Sequence, residues 1–185
     1  TYLKDPAEAH PKAAAHQVNL TDEAAVNKLI QEGGPLDGLV SMASIFKADL
    51  ETFELGHLQQ IFSINTFGNM LVARRFAEQA KAHGLKNAPI VTFIDWAVDH
   101  PYEGHDTYIA SKAALRHYLM ALQSSFHGVI RVVNIHPGMI LEPTGFPAAE
   151  KAEIIKNTPT GEIGTPQQAA QLVRTALELD FLADN

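Results

Sequence analysis

Short apolar segments alternate with longer amphipathic segments along this chain of 185 residues. The short segments, bounded by turn residues, are typical of buried strands, and the long ones have the spacing of helices. Strands that alternate with helices pair in parallel through right-handed crossovers, which place helices on both faces of the sheet. The sequence therefore predicts a single α/β domain over residues 1–185, with three layers and a doubly wound parallel sheet.

The positions of the predicted elements follow from this alternation. The predicted strands are residues 16–20, 36–43, 88–95 and 129–136. The predicted helices are residues 21–32, 58–83, 107–126 and 165–179. In the second helix, the apolar residues expected to face inward are Ile61, Ile64, Phe67, Leu71 and Phe76. Residues 141–160 are rich in proline and turn formers, and their pattern is too irregular to interpret.

Composition excludes several classes of function. The net charge is −7 and no cluster of Lys or Arg occurs, which argues against nucleic acid or an anionic membrane as a partner. Cysteine is absent, so neither a disulfide framework nor a thiolate nucleophile is available. No apolar run approaches the ~18–20 residues that span a bilayer, and the first residues do not resemble a signal peptide, so a cytoplasmic location is expected. The nine histidines lack the spacing of metal ligands, and no metal site is predicted.

One pair of residues suggests acid–base chemistry. Tyr108 and Lys112 are four residues apart in the third predicted helix, so their side chains share one face. The same face continues inward with Leu115, Leu119, Leu122 and Phe126. An ammonium on an apolar face can lower the pKa of a neighbouring phenol, which lets a tyrosine exchange protons near neutral pH. The alternative is an ordinary half-buried tyrosine beside a lysine that buries only its stem.

Other polar and turn residues come directly after predicted strands. Asp95 ends the third strand, residues 41–46 lie at the end of the second, and Pro137 and Gly138 follow the fourth. The carboxyl ends of parallel strands meet at one edge of the sheet, and ligands bind outside that edge. We therefore expect these residues to surround a ligand site.

Asn65, Asp95, Tyr108, Lys112 and the segment 136–138 resemble the short-chain dehydrogenase/reductase family in order and spacing. The resemblance implies a Rossmann-like fold and a nicotinamide cofactor, with Tyr108 as the proton donor. Lys112 would hold the nicotinamide ribose and lower the pKa of the tyrosine, and Asn65 would support a water chain to the lysine. Further cofactor contacts implied by the resemblance are Leu20, Ala43, Ser44, Pro137 and Gly138.

Asp95 stands where most of the family has a serine that hydrogen-bonds the substrate carbonyl. A carboxylate there would repel the oxyanion formed from a ketone, but it suits a ring with N–H donors or a nitrogen to be protonated. An aspartate thirteen residues before the tyrosine is similar to pteridine reductases and dihydromonapterin reductases, including the bacterial alternative dihydrofolate reductases. In that branch the residues matching Ser44 and Phe46 contact the pterin, the aromatic ring by stacking. The implied substrate is a dihydropterin such as dihydromonapterin, dihydrobiopterin or dihydrofolate, reduced by NADPH with Tyr108 and Asp95 relaying the proton.

The family's first strand and its glycine-rich turn have no counterpart in this chain, and relatives continue past its last residue. The chain is therefore expected to be an incomplete stretch of a larger reductase. NADH is not excluded as the cofactor, because the residues that select NADP normally follow the second family strand. Two alternatives remain open: a carbonyl reductase in which burial keeps Asp95 protonated, and a cofactor-less homologue that binds partners.

The resemblance also implies a homotetramer or homodimer. Its interface would lie on helices 58–83 and 107–126, which carry apolar residues beyond one inward face. The residues expected on that outer surface are Met70, Val72, Tyr118 and Met120.

Overall fold

The computed structural model describes residues 13–142 and 145–183. Within these ranges a parallel sheet is formed, in spatial order, by β1 (Leu39–Ser41), β2 (Ala88–Phe93) and β3 (Ile130–Ile135). The helices are α1 (Glu23–Glu32), α2 (Leu55–Phe62), α3 (Asn69–Ala82), α4 (Asp106–Ser125), α5 (Ala148–Asn157) and α6 (Pro166–Glu178). A π-helical turn, Ser63–Gly68, joins α2 to α3, and a 3₁₀ turn, Trp96–Val98, follows β2. No helix in the described ranges is long and apolar enough to cross a membrane.

The sheet is covered by helices on both faces, as the sequence predicted. Alternate residues of β2 and β3 point to opposite faces, because side chains alternate along a strand. On one face Ile90 and Val132 pack against α3 and α4, and on the other Val91 and Ile135 pack against α6. Strands that are buried on both faces have nearly continuous apolar sequences, which is why β2 and β3 could be predicted from the sequence. The prediction of a three-layer parallel α/β fold is confirmed.

α3 and α4 form the main core with the sheet. α3 contributes small residues and one large ring, Ala73, Ala77, Ala80 and Phe76, so its backbone lies close to the strands. α4 contributes the predicted face, which consists of Leu115, Leu119, Leu122 and Phe126, all buried. The inward orientation predicted for the helix that carries Tyr108 and Lys112 is therefore confirmed.

The long predicted helix 58–83 contains a break in its periodicity. The π-helical turn Ser63–Gly68 inserts an extra residue, which rotates the inward face of the helix between α2 and α3. As a result Phe67 is 57% exposed, although a regular 3.6-residue period placed it inward. Val72, expected on the outer surface, is buried for the same reason. Polar residues turn inward instead: Asn65, Thr66 and Asn69 are buried.

One other prediction about local structure is wrong, and one region that the sequence left uninterpreted contains a helix. Residues 16–20 form no strand, since no neighbouring strand pairs with them in the described part of the chain, and the backbone passes into a turn at Leu20. Residues 141–160 contain α5, which starts directly after Pro147. Proline fixes a backbone angle compatible with the start of a helix, so a proline-rich composition concealed a helix start here. The helix start predicted at Thr165 is confirmed, with a reciprocal capping box between Thr165 and Gln168.

A buried arginine fastens α6 to the sheet. Arg131 lies within β3 and is 3% exposed. Its guanidinium donates hydrogen bonds to the carbonyl oxygens of Ala176 (2.7 Å), Leu177 (2.9 Å) and Leu182 (3.2 Å). These carbonyls lie at and beyond the end of α6, where the helix dipole favours a positive charge. α6 thereby acquires a fixed position on the face opposite to α3 and α4.

Candidate active site

The carboxyl ends of the strands meet the start of α4, and Asp95 lies at their centre. Its backbone is extended, and its side chain has two different partners. Oδ1 accepts a hydrogen bond from the backbone N–H of Ala97 (2.8 Å), which caps the 3₁₀ turn. Oδ2 accepts a hydrogen bond from the hydroxyl of Tyr108 (2.7 Å). The carboxylate is therefore held by the turn and aimed at the phenol.

Tyr108 is buried in the first turns of α4. Burial raises the pKa of its phenol well above the ordinary value, and the charge of Asp95 and the hydrogen bond to it raise this pKa further. This differs from the effect expected from the Tyr–Lys pair, in which the lysine lowers the pKa of the tyrosine. The reason is proximity: the carboxylate is in direct contact with the phenol, while the Lys112 ammonium is 5.8 Å from the ring centroid. Tyr108 is thus held protonated.

Lys112 lies one helical turn further along α4 and is 3% exposed. Its Nζ donates a hydrogen bond to the carbonyl oxygen of Phe93 (2.9 Å), at the end of β2. Burial lowers the pKa of Lys112 to about 8, against the opposing effect of the Asp95 charge. A single protein acceptor in the described part of the chain leaves two of the three ammonium hydrogens for another ligand.

Asn65 is fully buried in the π-helical turn and uses its whole amide group. Oδ1 accepts from the backbone N–H of Ile45 (2.8 Å) and from the hydroxyl of Ser44 (3.2 Å). Nδ2 donates to the carbonyl of Ile45 (3.0 Å) and to the hydroxyl of Ser111 (3.1 Å). The side chain therefore clamps the segment after β1 to α4, next to Lys112.

Phe46 extends from that segment towards Tyr108. The two rings meet edge to face, with centroids 4.9 Å apart and an angle of 89° between their planes. Phe46 is 54% exposed, so its ring lies at the surface and is not part of the core. Its position beside the Tyr108–Asp95 pair is compatible with contact to a bound ring.

Two clefts contain the remaining residues predicted for the site. Leu20, Ala43 and Ser44 line one of about 800 Å³, between the turn that precedes α1 and the segment after β1. Pro137 and Gly138 line another of about 580 Å³, between the end of β3 and α6. The second cleft is joined to Asp95 through the backbone, because Trp96 donates from its N–H to the carbonyl of Pro137 (3.1 Å). The structure thus brings Asp95, Tyr108, Lys112, Asn65, Ser44 and Phe46 together, while Leu20 and Pro137–Gly138 line two separate clefts.

Comparison with known families decides the assignment. The family described as short chain dehydrogenase matches residues 2–153, which is most of the chain. This protein belongs to the short chain dehydrogenase family. The family predicted from the residues is therefore confirmed, and the protein is an NAD(P)H-dependent oxidoreductase.

Individual relatives support the assignment to this family. Over 200 residues this short chain dehydrogenase is 30% identical to an uncharacterised oxidoreductase of Schizosaccharomyces pombe, covering 99% of this chain and 72% of that protein. Its fold is similar to the aldohexose dehydrogenase of Thermoplasma acidophilum, with a TM-score of 0.84, 20% identity and coverage of 97% of this chain and 76% of that one. ElxO with bound NADP gives a TM-score of 0.81 at 20% identity, with 92% and 73% covered. At 20% identity these two likenesses establish the fold alone.

The residues present fit a nicotinamide cofactor. The Lys112 ammonium is buried with two hydrogens left over, which suits the hydroxyl groups of a ribose. The cleft of about 800 Å³ between Leu20 and Ser44 has room for a nucleotide. A reduced nicotinamide supplies a hydride, so the protein itself must supply and position the proton.

Sequence reasoning missed several residues of this site. Asn69 donates from Nδ2 to the carbonyls of Ala43 (2.9 Å) and Ile64 (2.8 Å), and it also holds Ser41. His105 stacks on Phe46, with ring centroids 4.3 Å apart. Asn69 lies four residues after Asn65, and that repeat of a buried amide was a usable signal. His105 carried none, because only the fold brings it to residue 46.

Proposed function

We propose that this short chain dehydrogenase uses NADPH to reduce a C=N bond of a dihydropterin, such as dihydromonapterin, dihydrobiopterin or dihydrofolate. The observation that carries the proposal is the carboxylate of Asp95 in contact with the Tyr108 hydroxyl. An oxyanion that developed at this position would face a negative charge, whereas a ring nitrogen or N–H group would be attracted. Asp95 thus selects against carbonyl chemistry.

Proton delivery follows from the charges around Tyr108. Reduction of a C=N bond adds a hydride to carbon and a proton to nitrogen. A tyrosinate beside a carboxylate is unfavourable, as the raised pKa of Tyr108 indicates. Tyr108 and Asp95 therefore hold one proton between them, on the Tyr108 hydroxyl. As the ring nitrogen takes this proton, a proton from water must replace it to restore the phenol. The Lys112 ammonium offsets the negative charge left behind.

Substrate binding is assigned to Phe46, Ser44, Asp95 and Tyr108. The exposed ring of Phe46 is a stacking surface within contact distance of Tyr108. Ser44 lies two residues before Phe46, and its hydroxyl donates a hydrogen bond to Oδ1 of Asn65 (3.2 Å). ElxO has a similar fold and binds NADP, which supports the choice of NADPH over NADH as the cofactor of this protein.

Oxidation of NADPH in the presence of each dihydropterin, compared with a panel of simple ketones and aldehydes, tests the proposal. Dihydropterins are expected to have the higher kcat/KM. A protein that oxidises NADPH with ketones and leaves dihydropterins unchanged would contradict it.

A carbonyl reductase is the second candidate. The 2.7 Å separation between Tyr108 and Asp95 also fits a hydrogen bond between two neutral hydroxyl groups, which a protonated Asp95 would form. A neutral carboxyl group would then donate to a substrate carbonyl as a serine does. The same substrate panel separates the two functions.

We also propose that the protein forms a homotetramer or homodimer. Exposed apolar side chains around α2 support this, since a lone subunit would leave them in water: Phe53, Leu55 and Phe67 are all more than half exposed. Light scattering at micromolar concentration is expected to give a multiple of the subunit mass, and a monomer would contradict the proposal.

A further inference from the structure

One face of Phe46 is covered by another side chain of the same protein. The rings of Phe46 and His105 are stacked, with centroids 4.3 Å apart and planes within 9° of parallel. Tyr102 meets His105 edge to face, with ring centroids 5.4 Å apart. The imidazole therefore occupies one face of Phe46, and a flat ligand stacked on that same face would lie in its place.

Within the described residues, the imidazole of His105 has ring contacts with Phe46 and Tyr102 and no side-chain hydrogen bond. Its backbone is fixed, because the N–H of Ile109 donates to the carbonyl of His105 (2.9 Å) at the start of α4. Its side chain makes no capping hydrogen bond to that helix. In the described part of the chain its Nδ1 is buried without a hydrogen-bond partner. Moving the ring away from Phe46 thus breaks no hydrogen bond and gives Nδ1 access to water, which is favourable.

We propose that His105 and a planar substrate ring compete for the same face of Phe46, so that His105 determines how strongly the enzyme selects flat heterocycles. This inference rests on the proposed role of Phe46 as the stacking residue. A bicyclic ring covers more of the Phe46 face than an imidazole does, so it displaces His105 when it binds. A puckered aliphatic ring cannot stack on Phe46 and leaves the imidazole in place.

The competition predicts a defined change in substrate affinity. A conformation in which His105 covers Phe46 cannot bind the flat ring, so it lowers the apparent affinity by the fraction of molecules in that conformation. Aromatic pairs have stacking energies that correspond to roughly 2- to 12-fold in an equilibrium constant. Removal of the imidazole should therefore lower KM for flat substrates by about that factor.

The test compares His105→Asn with the wild-type protein. Asparagine is favoured at the residue before a helix, so this variant removes the ring while it preserves the start of α4. His105→Phe is the reciprocal variant, which enlarges the competing ring. His127→Asn is the matched control, because His127 is exposed in the turn after α4. The flat rings are dihydrobiopterin and isatin, and cyclohexanone is the puckered one, all at saturating NADPH. A compound that is not itself reduced is measured by its inhibition constant against dihydrobiopterin reduction.

The expected result is a roughly 2- to 12-fold lower KM for the flat substrates in His105→Asn, a higher one in His105→Phe, and no change for cyclohexanone or in His127→Asn. An unchanged or higher KM for flat rings in His105→Asn would overturn the proposal, as would an equal fall for cyclohexanone. Wild-type protein that reduces isatin and not dihydrobiopterin would refute the pterin function and still allow this comparison. Failure to reduce either flat ring would overturn both.

Discussion

The hydroxyl of Tyr108 donates to Oδ2 of Asp95 across 2.7 Å, while Oδ1 of the same carboxylate caps the turn that follows β2. One side chain therefore links the end of the central strand to the residue that is proposed to deliver the proton. Because the pair is part of the fold, the orientation of the acid–base group does not depend on a flexible side chain.

Tyr108→Phe removes the hydroxyl and keeps the ring that meets Phe46. Turnover of a dihydropterin should fall by roughly 10²–10⁴, the usual contribution of a positioned acid. Tyr102→Phe is the control, because that ring also lies in the aromatic cluster and its hydroxyl has no hydrogen-bond partner in the described part of the chain. Near-normal turnover of Tyr108→Phe in single-turnover kinetics would contradict its role as the proton donor.

Asp95 variants separate electrostatics from packing. Both Asp95→Asn and Asp95→Ser can still cap the N–H of Ala97, so the turn should be retained. Loss of a charge-assisted hydrogen bond corresponds to very roughly a factor of 10–150 in kcat/KM, which is the fall expected for dihydropterin reduction. Asp95→Ser should at the same time raise the reduction of an activated ketone, since a hydroxyl can stabilise an oxyanion. If both substrates lost activity equally, Asp95 would serve only the fold.

Lys112→Met exposes the cost of burying an ammonium. Burial lowers the pKa of Lys112 to about 8 in the folded protein from an ordinary value of 10.5. Between these two values the unfolded chain binds more protons, so the stability of the wild type rises with pH from about 8 to about 10. The variant, which has no titrating group there, should be more stable than the wild type at pH 7 by about 1–3 kcal/mol, and the difference should shrink as the pH rises. Urea unfolding of both proteins at pH 7 and at about pH 10 measures this difference in stability. A difference that does not change with pH would contradict the prediction.

Asn65→Asp tests the clamp between the segment after β1 and α4. The substitution keeps the shape of the side chain but removes the two hydrogen bonds donated by Nδ2, and it turns a buried oxygen towards the carbonyl of Ile45. The free energy of unfolding should fall by about 1–3 kcal/mol or more. KM for the substrate should rise as well, because Ser44 and Phe46 lose their support. Asn157→Asp, at the exposed end of α5, loses a hydrogen bond to Glu153 and should lower the free energy of unfolding by only about 0.2–0.5 kcal/mol, with KM unchanged.

Gly68→Ala tests the wall of the proposed cofactor cleft. A Cβ at this position would lie 2.8 Å from Cβ of Leu20 and 3.1 Å from its carbonyl oxygen, so the segment that contains Leu20 must move. KM for NADPH should rise and stability should fall by about 1–3 kcal/mol, as in other overpacked sites. Gly56→Ala is the matched control, since nothing lies within 4 Å of its Cβ and alanine favours a helix. Equal effects of the two substitutions would show that contact with Leu20 is unimportant.

Local sequence patterns were sufficient to predict several residues of the candidate site. The four-residue spacing of Tyr108 and Lys112 defined a shared face of α4, because helix geometry depends on sequence separation alone. The location of Asp95 at the end of a buried strand likewise followed from the apolar run before it. Family resemblance added the assignment of Asn65, although the hydrogen bonds that make it a clamp depend on distant residues.

The sequence by itself determined the alternation of strands and helices, and with it the three layers of the fold. It also determined the inward face of α4, because that face follows from periodicity within one segment. Only the tertiary structure decided that a π-helical turn rotates Phe67 outward and Asn65 and Asn69 inward. It also decided that Asp95 contacts Tyr108 and that His105 covers Phe46. Such contacts join residues 13 and 59 positions apart, whose distance in space is set by how the elements pack and by no local pattern.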